Sequence, residues 1–143
     1  MTTPEQADRT IAASPSLSVP ASPEHLGLLR AMARTVAAQN ALSMDTLADL
    51  VLAVDEATTT LISHARPTST LVCTFDTASD PSRLRVILTA TTSSPLDAST
   101  SSFGWLVLQT LVDHVALEQS PVPVGNGDQN ATISLEKALQ ASL

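Results

Sequence analysis

The sequence is poor in several things at once. It has one cysteine, Cys73, in 143 residues. That excludes an internal disulfide and any zinc site built on cysteine. It has a single lysine, Lys137, and six scattered arginines, against 14 Asp and Glu, for a net charge of −7. A surface of that sign repels phosphate backbones, and no Lys/Arg cluster overrides it, so direct binding to nucleic acid or to an anionic membrane is not expected. Long apolar runs are missing too. The longest, Leu50 to Val54, has five residues, far short of the ~20 that span a bilayer. The opening stretch, MTTPEQADRTIAASPSL, carries acids and prolines and no apolar core, unlike a secretory signal. The expected location is the cytoplasm. Nor is there a GxxxxGK[ST] phosphate loop, a GxGxxG after a strand, a GxSxG elbow or an HExxH helix.

What is present suits one folded domain. Apolar residues make up 43% and charged residues 15%, enough for a core and too little charge for a disordered chain. Residues 1–14 are polar, aperiodic and rich in Thr, Ala and Pro, and read as a flexible arm; 15–143 read as a single domain. Leu17 and Val19 alternate with serines ahead of Pro20, which suits an edge strand. Ser22-Pro23-Glu24 is a helix start, and Leu28, Leu29, Met32 and Val36 follow at helical spacing, predicting a first helix over 23–39. Ser43 is the next candidate cap. Behind it Leu47, Leu50, Val51, Val54, Thr58, Leu61, Ile62 and Ala65 form the clearest helical stripe in the chain, ended by Pro67.

The period then changes. Leu71, Cys73 and Phe75 alternate with Val72 and Thr74, and Leu84, Val86 and Leu88 alternate with Arg85 and Ile87. Strands over 69–76 and 84–89 are predicted, joined as an antiparallel hairpin. Residues 91–102 read as a polar loop of the length that is often functional. Phe103 to Glu118 reads as a third helix through Leu106, Leu108, Leu111, Val112 and Val115. Residues 121–130 read as a loop and Thr132 to Leu135 as a last strand. The expected fold class is α/β (α+β): a two-layer sandwich in the order β-α-α-β-β-α-β, with a mixed, mainly antiparallel sheet and helices on one face. His25, His64 and His114 fall on three different predicted helices without ligand spacing. Cys73 reads as a small core residue, and Phe103 and Trp105 as core or lid packing.

The second helix carries more than a stripe. DLVLAVDEATTTLISHA, Asp49 to Ala65, resembles the N-box helix of the histidine-kinase-like (GHKL) ATPases, and in particular that of the anti-sigma factor serine kinases of bacterial partner-switching systems. Ser18 to Ser22 resembles that family's first strand and turn. Gly104 to Val115 resembles the helix after the ATP lid, with Asp113 as its acidic residue, and Asn130 to Leu139 resembles the closing strand. The resemblance runs from about Leu17 to Leu139 and implies a GHKL fold, a homodimer, ATP with Mg²⁺ as cofactors, and two protein partners. These are a sigma factor of the stress or sporulation type and a STAS-type anti-anti-sigma factor. It places Arg30 where the family carries a partner-gripping arginine. Glu56 falls where the general base on a substrate serine stands, and Thr60 where an asparagine holds Mg²⁺. Thr91, Gly104 and Thr132 fall in the nucleotide-binding segments.

The chain departs from the family at those positions. Thr60 replaces the asparagine. Thr91-Thr92-Ser93-Ser94-Pro95 replaces DxGxG and keeps neither the adenine-binding aspartate nor the glycines that let backbone approach a nucleotide. Of the lid's Gly-x-Gly only Gly104 remains. A lost purine hydrogen bond costs about 1–3 kcal/mol in a buried site. The expected function is therefore an anti-sigma factor that sequesters its sigma factor and is released by an anti-anti-sigma factor, with ATP binding and kinase activity weak or lost. The alternatives are an active ATP-dependent serine kinase and a regulatory domain for some other partner.

Overall fold

The computed structural model describes residues 14–77, 79–97, 102–124 and 126–139. The expected arm therefore lies outside the described residues except for Ser14, whose hydroxyl donates to Asp76 Oδ1 at 3.0 Å. Residues 98–101 of the expected 91–102 loop also lie outside them.

Strand β1, Ser16–Pro20, is the edge strand the alternation implied. A single 3₁₀ turn, Pro23–His25, leads into helix α1, Leu26–Gln39. Helix α2 runs Met44–His64. Its Ser43 cap accepts from the Thr46 N–H at 3.2 Å, an interaction worth about 1 kcal/mol. The helix stops at Ala65, which takes an extended conformation ahead of Arg66-Pro67. Strands β2, Thr70–Asp76, and β3, Arg83–Thr92, form the expected hairpin.

The third helix is shorter than its spacing implied. Helix α3 spans Phe103–Leu111, and the chain then enters strand β4, His114–Pro121, before β5, Gln129–Ala138. The order is β-α-α-β-β-α-β-β, with one strand more than expected. The physical cause lies on β5. Lys137 Nζ donates to the Leu111 carbonyl at 3.0 Å and so closes the helix C-terminus. The Asp113 N–H donates to the Glu136 carbonyl, and its carboxylate accepts from the Ala138 N–H. Beyond that point Val115, Leu117 and Gln119 alternate inward as a strand. His114 thus opens a strand rather than lying on a helix, His25 sits in the 3₁₀ turn, and His64 ends α2.

The sheet is antiparallel throughout, in the order β1-β2-β3-β5-β4. One cross-strand row reads Leu17, Cys73, Leu88, Ile133, Leu117, and the next Phe75, Val86, Leu135, Val115. Both rows face the helices. Helix α2 lies over β3 and β5 between α1 and α3 and buries Leu50, Val51, Ala53, Val54, Ala57, Thr58 and Leu61. Each fully buried leucine contributes about 1.5–3 kcal/mol. Cys73 is buried as expected, and burial pushes its thiol up to about 12. Trp105 packs against the core. Phe103 and Leu106 do not: both are exposed, because a nine-residue helix with Leu108 turned inward points them away. Among the described residues no helix is long and apolar enough to cross a membrane.

Candidate functional site

Glu56 and Thr60 stand one turn apart on α2, on the face away from the buried stripe. Leu52 continues that face and is exposed. Thr60 is already engaged, since its hydroxyl donates to the Glu56 carbonyl at 2.9 Å. One turn on, His64 Nδ1 lies 3.0 Å from the Thr60 carbonyl. Helix α3 brings Gly104 against the same two side chains. A Cβ on Gly104 would overlap Glu56 Oε1, and would lie 3.5 Å from Glu56 Cδ and 4.0 Å from Thr60 Oγ1. The absence of a side chain at Gly104 lets the flexible end of Glu56 lie close against the α3 backbone.

The structure thus brings Glu56, Thr60 and Gly104 together. It does not bring Thr91 or Thr132 to them. On β3 the even-numbered residues from Leu84 to Thr92 are buried toward the helices, so Thr91 lies on the opposite face, its Oγ1 3.5 Å from Asn130 Oδ1. Thr132 lies on that opposite face as well, 3.1 Å from Thr89 Oγ1. Thr92 is the residue of the TTSSP segment that points inward, and its hydroxyl donates to the Ser94 carbonyl at 2.9 Å. The sequence held the signal for it: the parity set by Leu84, Val86 and Leu88.

The rim of this cradle is closed by protein. Ala65 and Thr92 form a β-bridge. The Arg66 N–H donates to the Thr91 carbonyl at 2.9 Å, and the Ser93 N–H to the His64 carbonyl at 2.9 Å. The Arg66 guanidinium pairs with the buried Asp128 carboxylate ahead of β5. Further on, Leu96 is buried over the inner face, its N–H and carbonyl both bonded to the Gln119 side-chain amide at 2.9 Å. As placed, these residues do not fit a magnesium-bound triphosphate. The hydroxyl of Thr60 is turned to its own helix, and the backbone of α3 stands against Glu56. Among the described residues no group of three or more His, Cys, Asp or Glu could hold a metal.

Arg30 belongs to a different surface, where α1 crosses α2. Its Nε donates to Asp55 Oδ1 at 2.8 Å with both side chains partly exposed. Beside it Arg34, Leu47, Ala48, Val51 and Leu52 line a mainly apolar cleft of about 320 Å³. Leu52 on α2 is exposed there. Asp55 directly precedes Glu56, so the two surfaces share one turn of α2.

Comparison with known proteins fits this architecture. The chain is 37% identical over 101 residues to the anti-sigma-F factor RsbW of two Mycobacterium tuberculosis strains, CDC 1551/Oshkosh and H37Rv. The aligned region covers 69% of this chain and 58% of each relative, so the chain spans well under two thirds of their length. A family model for the histidine kinase-like ATPase domain matches residues 19–127, from β1 to the loop before β5. The N-box-like helix, the flanking hairpin and the lid-side helix all fall within that match, and the chain belongs to the histidine kinase-like ATPase domain family.

Proposed function

We propose that this protein is an anti-sigma factor of the partner-switching type, and that it holds its sigma factor through the α1–α2 face without needing nucleotide. The observation that carries the reading is that face. It offers Arg30 and Arg34 beside an apolar cleft, with Leu52 left in solvent. Arginine at the edge of an apolar patch is what many protein interfaces use. The similarity to anti-sigma-F factor RsbW supports the choice of partner class. A STAS-type anti-anti-sigma factor competing for Arg30 would release the sigma factor. A cytoplasmic homodimer in a stress response completes the proposal.

The test is affinity capture from source-cell lysate with and without Mg·ATP, followed by titration of the captured sigma factor against Arg30→Ala. Recovery in both arms and a loss of about tenfold or more in affinity, the effect of removing a central arginine anchor, is the expected result. Capture of no sigma factor, or an Arg30→Ala variant that binds both partners unchanged, overturns the proposal. The kinase reading keeps one observation in its favour, a partly exposed Glu56 carboxylate one helical turn from the Thr60 hydroxyl. It predicts phosphate on the anti-anti-sigma factor that disappears with Glu56→Ala. The contact of Gly104 with Glu56 weighs against it.

A further inference from the structure

The arginines and the lysine of this acidic chain are almost all spent internally. Arg66 pairs with Asp128, and Arg83 lies 4.0 Å from both Asp80 and Glu136. Arg85 stands in cross-strand register between Asp76 and Glu136. Lys137 donates to the Leu111 carbonyl. Arg30 gives its Nε–H to Asp55 at 2.8 Å and shares its charge with that carboxylate. Among the described residues Arg34 is the one such side chain with neither a hydrogen bond nor an ion pair nor an acidic cross-strand neighbour. It is exposed, and it follows Arg30 by four residues, so the two share one face of α1. A second observation falls at the same place. Arg34 borders the apolar cleft of about 320 Å³, whose other walls are Leu47, Ala48, Val51 and Leu52 of α2. Leu52 is 56% exposed. An unspent cation thus adjoins an open apolar surface, in a chain whose net charge is −7.

We propose that Arg34 is the charged anchor of the α1–α2 face, and that the face takes an acidic segment of the partner with an aliphatic side chain beside an Asp or Glu. The aliphatic group enters the cleft and the carboxylate meets the Arg34 guanidinium. The inference rests on the sigma-factor reading for the identity of the partner, and goes beyond it in naming the chemistry of the contact. Charge complementarity selects the occupant. A guanidinium with all its N–H donors free takes a carboxylate through two parallel bonds. A segment without an acid would cover the cleft and leave that cation desolvated and unpaired, which is costly. Arg30 offers less, because an incoming carboxylate there meets Asp55 as a rival. Arg34 has no rival, and its removal strands no other group of this chain.

The experiment is surface plasmon resonance of the full chain against the sigma factor captured from lysate. The variants are Arg34→Ala, Arg34→Lys and Ala48→Phe, with Arg30→Ala for comparison. Urea midpoints check the fold, and Arg34→Ala should not move its midpoint, since the side chain has no partner within the chain. Arg34→Ala should weaken binding about tenfold or more, mainly through faster dissociation, as truncating one half of a desolvated charge pair does. Arg34→Lys keeps the charge without the planar fork and should recover only part of the loss. Ala48→Phe sets a ring into the cleft from an exposed position and should weaken binding by a similar factor. An Arg34→Ala variant that binds as tightly as wild type overturns the proposal. So does a loss confined to the association rate, which would make Arg34 a steering charge rather than an anchor, and so does unchanged binding in Ala48→Phe. If Arg30→Ala weakens binding and Arg34→Ala does not, the sigma-factor reading stands and this inference falls. Capture of no sigma factor overturns both.

Discussion

Gln119 sits at the exposed edge of the sheet, yet its side chain does the work of a backbone. Its amide oxygen accepts from the Leu96 N–H and its amide nitrogen donates to the Leu96 carbonyl, both at 2.9 Å. One donor and one acceptor on a planar amide are what a neighbouring strand would present, so Leu96 is held as a one-residue addition beside β4. Two such bonds contribute about 0.5–1.5 kcal/mol each, or about 1–3 kcal/mol together. The burial of the Leu96 side chain, only 7% exposed, depends on the same clasp.

Replacing Gln119 with alanine removes both bonds and leaves the sheet ladder intact. Local release of the segment then becomes easier by that amount, and at 1.4 kcal/mol per tenfold the Leu96 amide should exchange its hydrogen about 5- to 140-fold faster. The assay is native-state hydrogen exchange read at Leu96, with the amide of Leu88 in the centre of β3 as reference. The reference should hardly change, because it opens with the whole sheet. Gln119→Glu keeps an acceptor for the N–H but sets a carboxylate against a carbonyl, and should fall between wild type and alanine. Equal exchange at Leu96 in wild type and Gln119→Ala would refute the reasoning, since the clasp would then carry no free energy.

Two further outcomes follow from buried groups. Thr58 is fully buried on α2 and its Oγ1 has no hydrogen-bond partner among the described residues, so Thr58→Val, equal in shape and relieved of a stranded hydroxyl, should raise stability by about 1 kcal/mol, seen as a higher urea midpoint at constant slope. Cys73 keeps its proton to about 12 when folded, against 9.0 for the free thiol. Between those values the unfolded chain binds fewer protons than the folded one, so stability falls as pH rises through that window. With no tyrosine and one lysine in the chain, alkaline urea titrations should show that slope clearly and lose it in Cys73→Val.

The parts of the fold set by one strong period were legible in the sequence. Helix α2 is announced by eight apolar or small residues at helical spacing and stopped by a proline, and it appears within a few residues of the expected limits. The hairpin of β2 and β3 alternates cleanly and pairs as expected. The segment 111–115 was not legible. Leu111, Val112 and Val115 satisfy a helix and a strand equally well, and the choice is made by Lys137 and by the backbone of β5, more than 20 residues away. The candidate site divides the same way. Glu56, Thr60 and Gly104 meet because helix spacing and a glycine at a helix start are local facts. Thr91 and Thr132 rest on position in a resemblance alone, and strand parity puts their side chains on the far side of the sheet.

That parity bears on what the altered segment does. A loop that admits a nucleotide needs free backbone donors and glycines that leave room for phosphate and purine. Here β-branched Thr91 and Thr92 prolong β3, and the donors around them are spent internally: Arg66 N–H on Thr91, Ser93 N–H on His64, Leu96 N–H on Gln119. The Arg66–Asp128 pair adds a third element to the same rim, with the carboxylate buried and the guanidinium partly in water. Breaking such a tie leaves a charge without its partner, so the rim resists opening. The rim is thus tied by bonds within the chain, from α2, β3 and the segment before β5, rather than left open.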